Sequence, residues 1–151
     1  GAGVGGEGLV TGNLASVGKH CLLLEELHLS NTKCVGKLED LADLTCLESL
    51  CLDKLRGVAG DLGTGLGNMP RLREARLCGT AATGDLEDLS HLSSLTELRL
   101  HDTYVHGQLW RGLCKLANLT VATFSADDFA GQDDEIKQLA VALSDCNILL
   151  M

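Results

Sequence analysis

Six glycines, Gly12, Gly36, Gly60, Gly84, Gly107 and Gly131, recur along this 151-residue chain at intervals of 24, 24, 24, 23 and 24 residues. Self-similarity at a fixed period constrains the fold more than composition does, because it calls for one supersecondary unit repeated in a stack. Units opening at Leu24, Leu47, Leu72, Leu95 and Leu119 align around those glycines. They read "LEELHLSNTKCVGKLEDLADLTC", "LESLCLDKLRGVAGDLGTGLGNMPR", "LREARLCGTAATGDLEDLSHLSS", "LTELRLHDTYVHGQLWRGLCKLAN" and "LTVATFSADDFAGQ" onward. The divisions fall at 24–46, 47–71, 72–94, 95–118 and 119–147, after a partial unit at 8–23, and make 1–151 a single domain.

Each unit carries two periodicities. The opening L-x-x-L-x-L ends in alternation, as a strand with one buried face requires. After the glycine, leucines step by three at Leu38, Leu41, Leu44 and Leu47 and at Leu86, Leu89, Leu92 and Leu95, which predicts a 3₁₀-like return. In Leu109, Leu113, Leu116 and Leu119 the first step is four, which predicts a short α turn. The junction glycine supplies a turn or a close backbone approach. Burial of six or seven aliphatics per unit falls short of the entropy lost in ordering about 24 residues, so no unit stands alone and neighbours must share one core.

The chain resembles the leucine-rich-repeat family, whose L-x-x-L-x-L-x-x-N-x-L frame is carried by residues 24–34, 47–57, 72–82, 95–105 and 119–129. The following G-x-L is most similar to the plant-type class. The resemblance implies an α/β solenoid, with a parallel β-sheet on the concave face and 3₁₀ or short helical returns on the convex face. It also implies a module for protein recognition. Three departures stand out. Thr32, Thr80, Thr103, Leu55 and Asp127 replace the usual Asn, and a threonine ladder is one substitute. The proline of the plant-type G-x-I-P is replaced by Glu39, Gly63, Glu87 and Trp110. The fifth unit runs long through "DDEIKQLAVALSD", an amphipathic helix with Ile136, Leu139 and Leu143 on one face and Asp133 or Asp134 as its cap.

Net charge is −9, from 21 acidic and 12 basic residues, which argues against nucleic acid. No apolar run is long enough to span a bilayer. The seven cysteines are odd in number and lack a C-x-x-C pair, so they are expected as reduced thiols in an intracellular, cytoplasmic protein. The start in "GAGVGGEG" and the end in "NILLM" are expected to be cuts from a longer protein.

Four places in the sequence invite sharper chemistry. His101, Asp102 and His106 do not make a zinc set, because no cysteine pair completes them. "GAGVGG" has the glycines of a dinucleotide loop without a strand before it. Counted from Asp127, Gly131 is fifth rather than sixth, which breaks a calcium-loop register. No catalytic constellation accompanies the serines and histidines. No metal or cofactor is expected. Two alternatives stay open: a GTPase-activating role through a loop arginine, Arg56 or Arg111, and a purely structural segment of a longer array.

Stacked coils align their outward strand residues in columns about 4.8 Å apart. The central column reads His28, Cys51, Arg76, Arg99 and Thr123, flanked by Glu26, Ser49, Glu74, Glu97 and Val121 on one side and by Ser30, Asp53, Cys78, His101 and Ser125 on the other. The expected partner-binding residues are Glu26, His28, Ser30, Glu74, Arg76, Glu97, Arg99 and His101. The expected partner is a protein or peptide, neither nucleic acid nor membrane, bound by a monomer.

Overall fold

The structure, a computed structural model, describes residues 3–5 and 11–151. The first coil holds β1 (Gly3–Gly5), β2 (Thr11–Asn13) and α1 (Leu14–His20). The second holds β3 (Glu26–His28), β4 (Lys33–Lys37) and a 3₁₀ turn over Leu38–Leu41, and the third β5 (Ser49–Cys51), β6 (Val58–Asp61) and α2 (Leu62–Leu66). Next come β7 (Glu74–Arg76), β8 (Ala81–Asp85) and a 3₁₀ turn over Leu86–Leu89, then β9 (Glu97–Arg99), β10 (Tyr104–His106) and α3 (Leu109–Leu113). The chain finishes with β11 (Val121–Phe124), a 3₁₀ turn over Ala126–Phe129, α4 (Asp133–Ala142) and β12 (Asn147–Leu150).

The opening segments of the units build a parallel sheet ordered β1-β3-β5-β7-β9-β11-β12. Leu27, Leu50, Ala75, Leu98 and Ala122 stand in register along it and are fully buried. The returns follow the leucine spacing. Steps of three give 3₁₀ turns at Leu38–Leu41 and Leu86–Leu89, and steps of four give α turns at Leu62–Leu66 and Leu109–Leu113. Asn13, Asp61 and Asp85 begin three of these returns, each accepting a hydrogen bond from a first-turn amide at 2.8–2.9 Å.

A second parallel sheet, ordered β10-β8-β6-β4-β2, lies between the first sheet and the returns in the first five coils. Tyr104 and His106 belong to its outermost strand, β10, rather than to a turn. Its buried inward residues are Cys34, Val58, Ala82 and Val105, and each pairs with the junction glycine of the preceding coil: Gly12, Gly36, Gly60 and Gly84. Glycine is required there by geometry. Gly60 has φ +113°, and a Cβ on it would meet the Leu38 backbone nitrogen at 2.9 Å.

Other expectations are refined. Thr32, Thr80 and Thr103 are buried, and each hydroxyl donates to the carbonyl three residues earlier (Leu29, Leu77 and Leu100) at 2.6–2.8 Å. They therefore close their own turns rather than forming a ladder between coils. Neither Asp133 nor Asp134 caps α4. Gln132 stands at the cap position, and its side chain instead accepts from the Leu109 amide at 2.7 Å and donates to the Gly107 carbonyl at 2.8 Å. The two aspartates lie in the first turn, where the helix dipole favours negative charge. Leu139 and Leu143 are buried and Ile136 packs against the same core, as the helical spacing predicted. "NILLM" contributes β12, parallel to β11. Half of "GAGVGG" lies outside the described residues, while Gly3–Gly5 pair with Glu26–His28 ahead of the partial unit expected from residue 8.

Candidate functional site

The outward face of the seven-stranded sheet collects most of the candidate residues. Strand pairing sets Glu26 beside Ser49, Ser49 beside Glu74, and Glu74 beside Glu97, with His28, Cys51, Arg76 and Arg99 in the next column. At its centre the guanidinium Nε of Arg76 donates to Glu97 Oε2, and Arg99 Nε donates to the same oxygen at 2.9 Å. One carboxylate thus holds two neighbouring arginines by their Nε groups. Burial pushes the Glu97 carboxyl upward, but hydrogen bonds and charge from Arg76 and Arg99 outweigh it, so the carboxyl titrates below the ordinary glutamate range. In return, the hydrogen bond to Glu97 raises Arg76 above its ordinary value against the opposing effect of burial.

Toward the start of the strands, a cavity of about 260 Å³ opens over β3, β5 and β7. Glu26, His28, Glu48, Ser49, Arg73 and Glu74 line it. His28 Nε2 and Ser49 Oγ share a hydrogen bond of 2.7 Å, and Ser49 donates to Glu74 at 3.4 Å. Glu48 and Arg73 were absent from the expected set. They precede the strand alternation, where the sequence pattern marks no face, and only their adjacency to Ser49 and Glu74 signals them.

Toward the strand ends, a polar ladder crosses five coils. Ser30 Oγ lies 2.8 Å from Cys51 Sγ and accepts from the Asp53 amide at 3.2 Å. Asp53 accepts from the Cys51 thiol at 3.7 Å and from the Cys78 amide at 3.0 Å. His101 Nδ1 sits 3.3 Å from Cys78 Sγ and 2.7 Å from Thr123 Oγ1. Ser30 and His101 are therefore engaged within the sheet edge, unlike Glu26. Thr123, assigned to the outward column, is fully buried at the far end of this ladder. Burial, reinforced by the Asp53 charge and its hydrogen bond, pushes the Cys78 thiol up to about 12.

The remaining candidates are held apart. Asp102 accepts from Arg56 at 2.8 Å and His106 lies on the second sheet, so His101, Asp102 and His106 do not converge. Among the described residues no group of three His, Cys, Asp or Glu side chains is arranged to hold a metal. Arg111 is exposed on α3, on the convex side. No helix among the described residues is long and apolar enough to cross a membrane.

No family model matches the sequence, and no curated protein does. Solved structures do match. The chain is similar to the leucine-rich-repeat ectodomain of the receptor kinase SOBIR1 from Arabidopsis thaliana, with 27% identity and a TM-score of 0.66 over 76% of this chain and 62% of that one. It is similar in fold to the ectodomain of the Arabidopsis thaliana membrane receptor kinase GASSHO1/SCHENGEN3, with 21% identity and a TM-score of 0.72 over 95% of this chain and 17% of the other. Internalin C2 of Listeria monocytogenes matches with 19% identity and a TM-score of 0.52 over 97% of this chain and 69% of its own. The chain thus spans less than two thirds of either receptor ectodomain. With the 24-residue period, the parallel strand stack and these likenesses together, the chain is a leucine-rich-repeat protein with plant-type repeats.

Proposed function

We propose that the chain is a non-catalytic interaction module that holds a protein or peptide partner on the concave sheet face, through Glu26, His28, Glu74, Arg76, Glu97 and Arg99, with Ser30 and His101 bracing the edge of that face. The observation that carries this reading is the shared carboxylate of Glu97, which fixes two guanidinium groups side by side on an exposed sheet before any partner arrives. Pre-ordering of this kind lowers the entropy cost of binding, and arginine is enriched among residues that dominate interfaces. The GASSHO1/SCHENGEN3 ectodomain was solved in complex with Casparian strip integrity factor 2. What the two chains have in common is the fold, and the residues of the present face support the reading on their own.

Seven free cysteines, Cys34 and Cys78 buried among them, support a reducing, intracellular setting. The two similar receptor structures are ectodomains, which weighs the other way. A thiol count on protein from its native source decides between the settings.

The binding face is tested by capture from native lysate on the immobilised chain, beside an Arg76→Glu/Arg99→Glu variant whose fold is checked by circular dichroism. A protein retained by the first and lost by the second supports the face. Identical or empty eluates reject it.

A further inference from the structure

The concave face is electrically divided, and the division specifies a ligand. In the cavity over β3, β5 and β7, the carboxylates of Glu26, Glu48 and Glu74 outnumber the one guanidinium of Arg73, three charges against one. Arg73 lies 4.0 Å from Glu48, at the limit of an ion pair, so the negative excess sits on the Glu26 and Glu74 side. One column along stand Arg76 and Arg99, met only by Glu97 reaching over from the carboxylate column, two charges against one. Both arginines are tied by Nε, so their terminal NH₂ groups, the ends that grip a carboxylate in bidentate fashion, are left for a ligand.

The distance between the two regions follows from sheet geometry. From β5, at the middle of the cavity, to the midline of β7 and β9 is one and a half strand spacings, about 7 Å at about 4.8 Å each. From the Glu26–Ser49–Glu74 column to the Arg76–Arg99 column is two residues along the strand, about 6.6 Å. The diagonal is about 10 Å, which an extended peptide covers in about three residues.

We propose, resting on the concave-face reading above, that the site recognises an extended segment of a partner protein carrying a basic and an acidic side chain three residues apart, Lys-x-x-Asp in type. The cation enters the cavity beside Glu26 and Glu74, and the carboxylate bridges Arg76 and Arg99. A uniformly basic segment meets the arginines and a uniformly acidic one meets the cavity, so like-charge contact rejects both. This selects a zwitterionic partner despite the chain's overall charge of −9.

The test uses fluorescein-labelled octapeptides, blocked at both ends, measured by fluorescence anisotropy at low salt. Their cores are Lys-Ser-Ser-Asp, Asp-Ser-Ser-Lys, Lys-Ser-Ser-Lys and Asp-Ser-Ser-Asp; both mixed orders are included because a peptide can cross the sheet in either direction. At least one mixed peptide binds about tenfold more tightly than either like-charge peptide, as expected for one further exposed ion pair gained and one repulsion avoided. The Arg76→Glu/Arg99→Glu variant turns the preference toward the Lys-Lys peptide, and Glu26→Lys/Glu74→Lys turns it toward the Asp-Asp peptide. Absence of any preference, or a preference unmoved by both variants, overturns the charge arrangement. If a lysate partner is still lost on Arg76→Glu/Arg99→Glu, only that arrangement fails; if both proteins hold the partner equally, the face itself fails.

Discussion

Gly65 and Leu38 approach so closely that a Cβ on the glycine would lie 2.5 Å from the leucine Cβ and 2.8 Å from its carbonyl carbon and oxygen. Gly65 belongs to α2, and Leu38 opens the 3₁₀ turn of the preceding coil. The contact shows how α and 3₁₀ returns of unequal width alternate in one stack. Glycine in α1, α2 and α3 lets the wider α return settle against a narrower neighbour: Gly18 on Asp40, Gly65 on Leu38 and Gly112 on Leu86.

Gly65→Ala therefore destabilises the protein, although alanine is the better helix former. The helix preference gains about 1 kcal/mol, while overpacking against a backbone that cannot rotate away costs about 1–3 kcal/mol. The clash is the larger effect. For Gly112→Ala the three nearest atoms all belong to the Leu86 side chain, Cγ at 2.4 Å, and none to backbone, so its cost is smaller. Urea denaturation of the two variants is the check; equal midpoints, or a more stable Gly65→Ala, would show that the returns are not packed in this way.

The sequence made the repeat, the inward leucines and the two kinds of return legible because each depends on local spacing. Leu62 and Leu66, four apart, give an α turn, and Leu86 and Leu89, three apart, give a 3₁₀ turn. The second sheet is written in the sequence too, but more faintly. Thr103, Val105, Gly107 and Leu109 alternate at period two, as do Thr80, Ala82, Gly84 and Leu86, and this is a strand signal written in small residues. The leucine periodicities overlap this one and mask it.

The candidate site was only half legible. Register placed Arg76 beside Arg99 and Glu74 beside Glu97, since a 23-residue offset fixes neighbours in a solenoid. That both arginines settle on Glu97, and that His101 turns to Cys78 and Thr123, are rotamer outcomes. Column order holds no information about them.

The Asp61 cap offers a second test of the returns. Its carboxylate accepts from the Thr64 amide at 2.8 Å and from the Thr64 hydroxyl at 3.0 Å, at the N-terminus of α2. Asp61→Ala strands that amide and is expected to cost about 1 kcal/mol. Asp61→Asn keeps an acceptor and recovers most of the loss. A denaturation midpoint unchanged in Asp61→Ala would remove the cap from the account of this turn.

Cys78 is predicted to be the slow thiol. Titrating near 12, it is almost wholly protonated at pH 8, and only the thiolate attacks an alkylating agent. Native protein treated with iodoacetamide should label Cys78 a hundredfold or more slowly than an unperturbed cysteine. Guanidinium unfolding abolishes the difference, and peptide mass spectrometry over time reads both conditions. Cys78 reacting in the native state at the rate of the unfolded protein would contradict its burial beside Asp53.

Glu97 gives the face its pH dependence. Its folded-state titration lies below the unfolded glutamate value of about 4.3. The sign follows: the stabilisation is fully present above that unfolded value and is lost as pH falls through the lower folded value. Because the arginine side chains are one-third or more exposed, the contribution is about 1 kcal/mol or less. Glu97→Gln removes that increment at pH 7, leaves Arg76 and Arg99 repelling one another, and flattens the stability profile between pH 5 and pH 3 relative to the parent chain. Salt acts in the same direction by screening the exposed ends of the pair. Parallel stability curves for the two proteins across that interval would mean that Glu97 carries no linkage, and that the two arginines are not ordered by the charge between them.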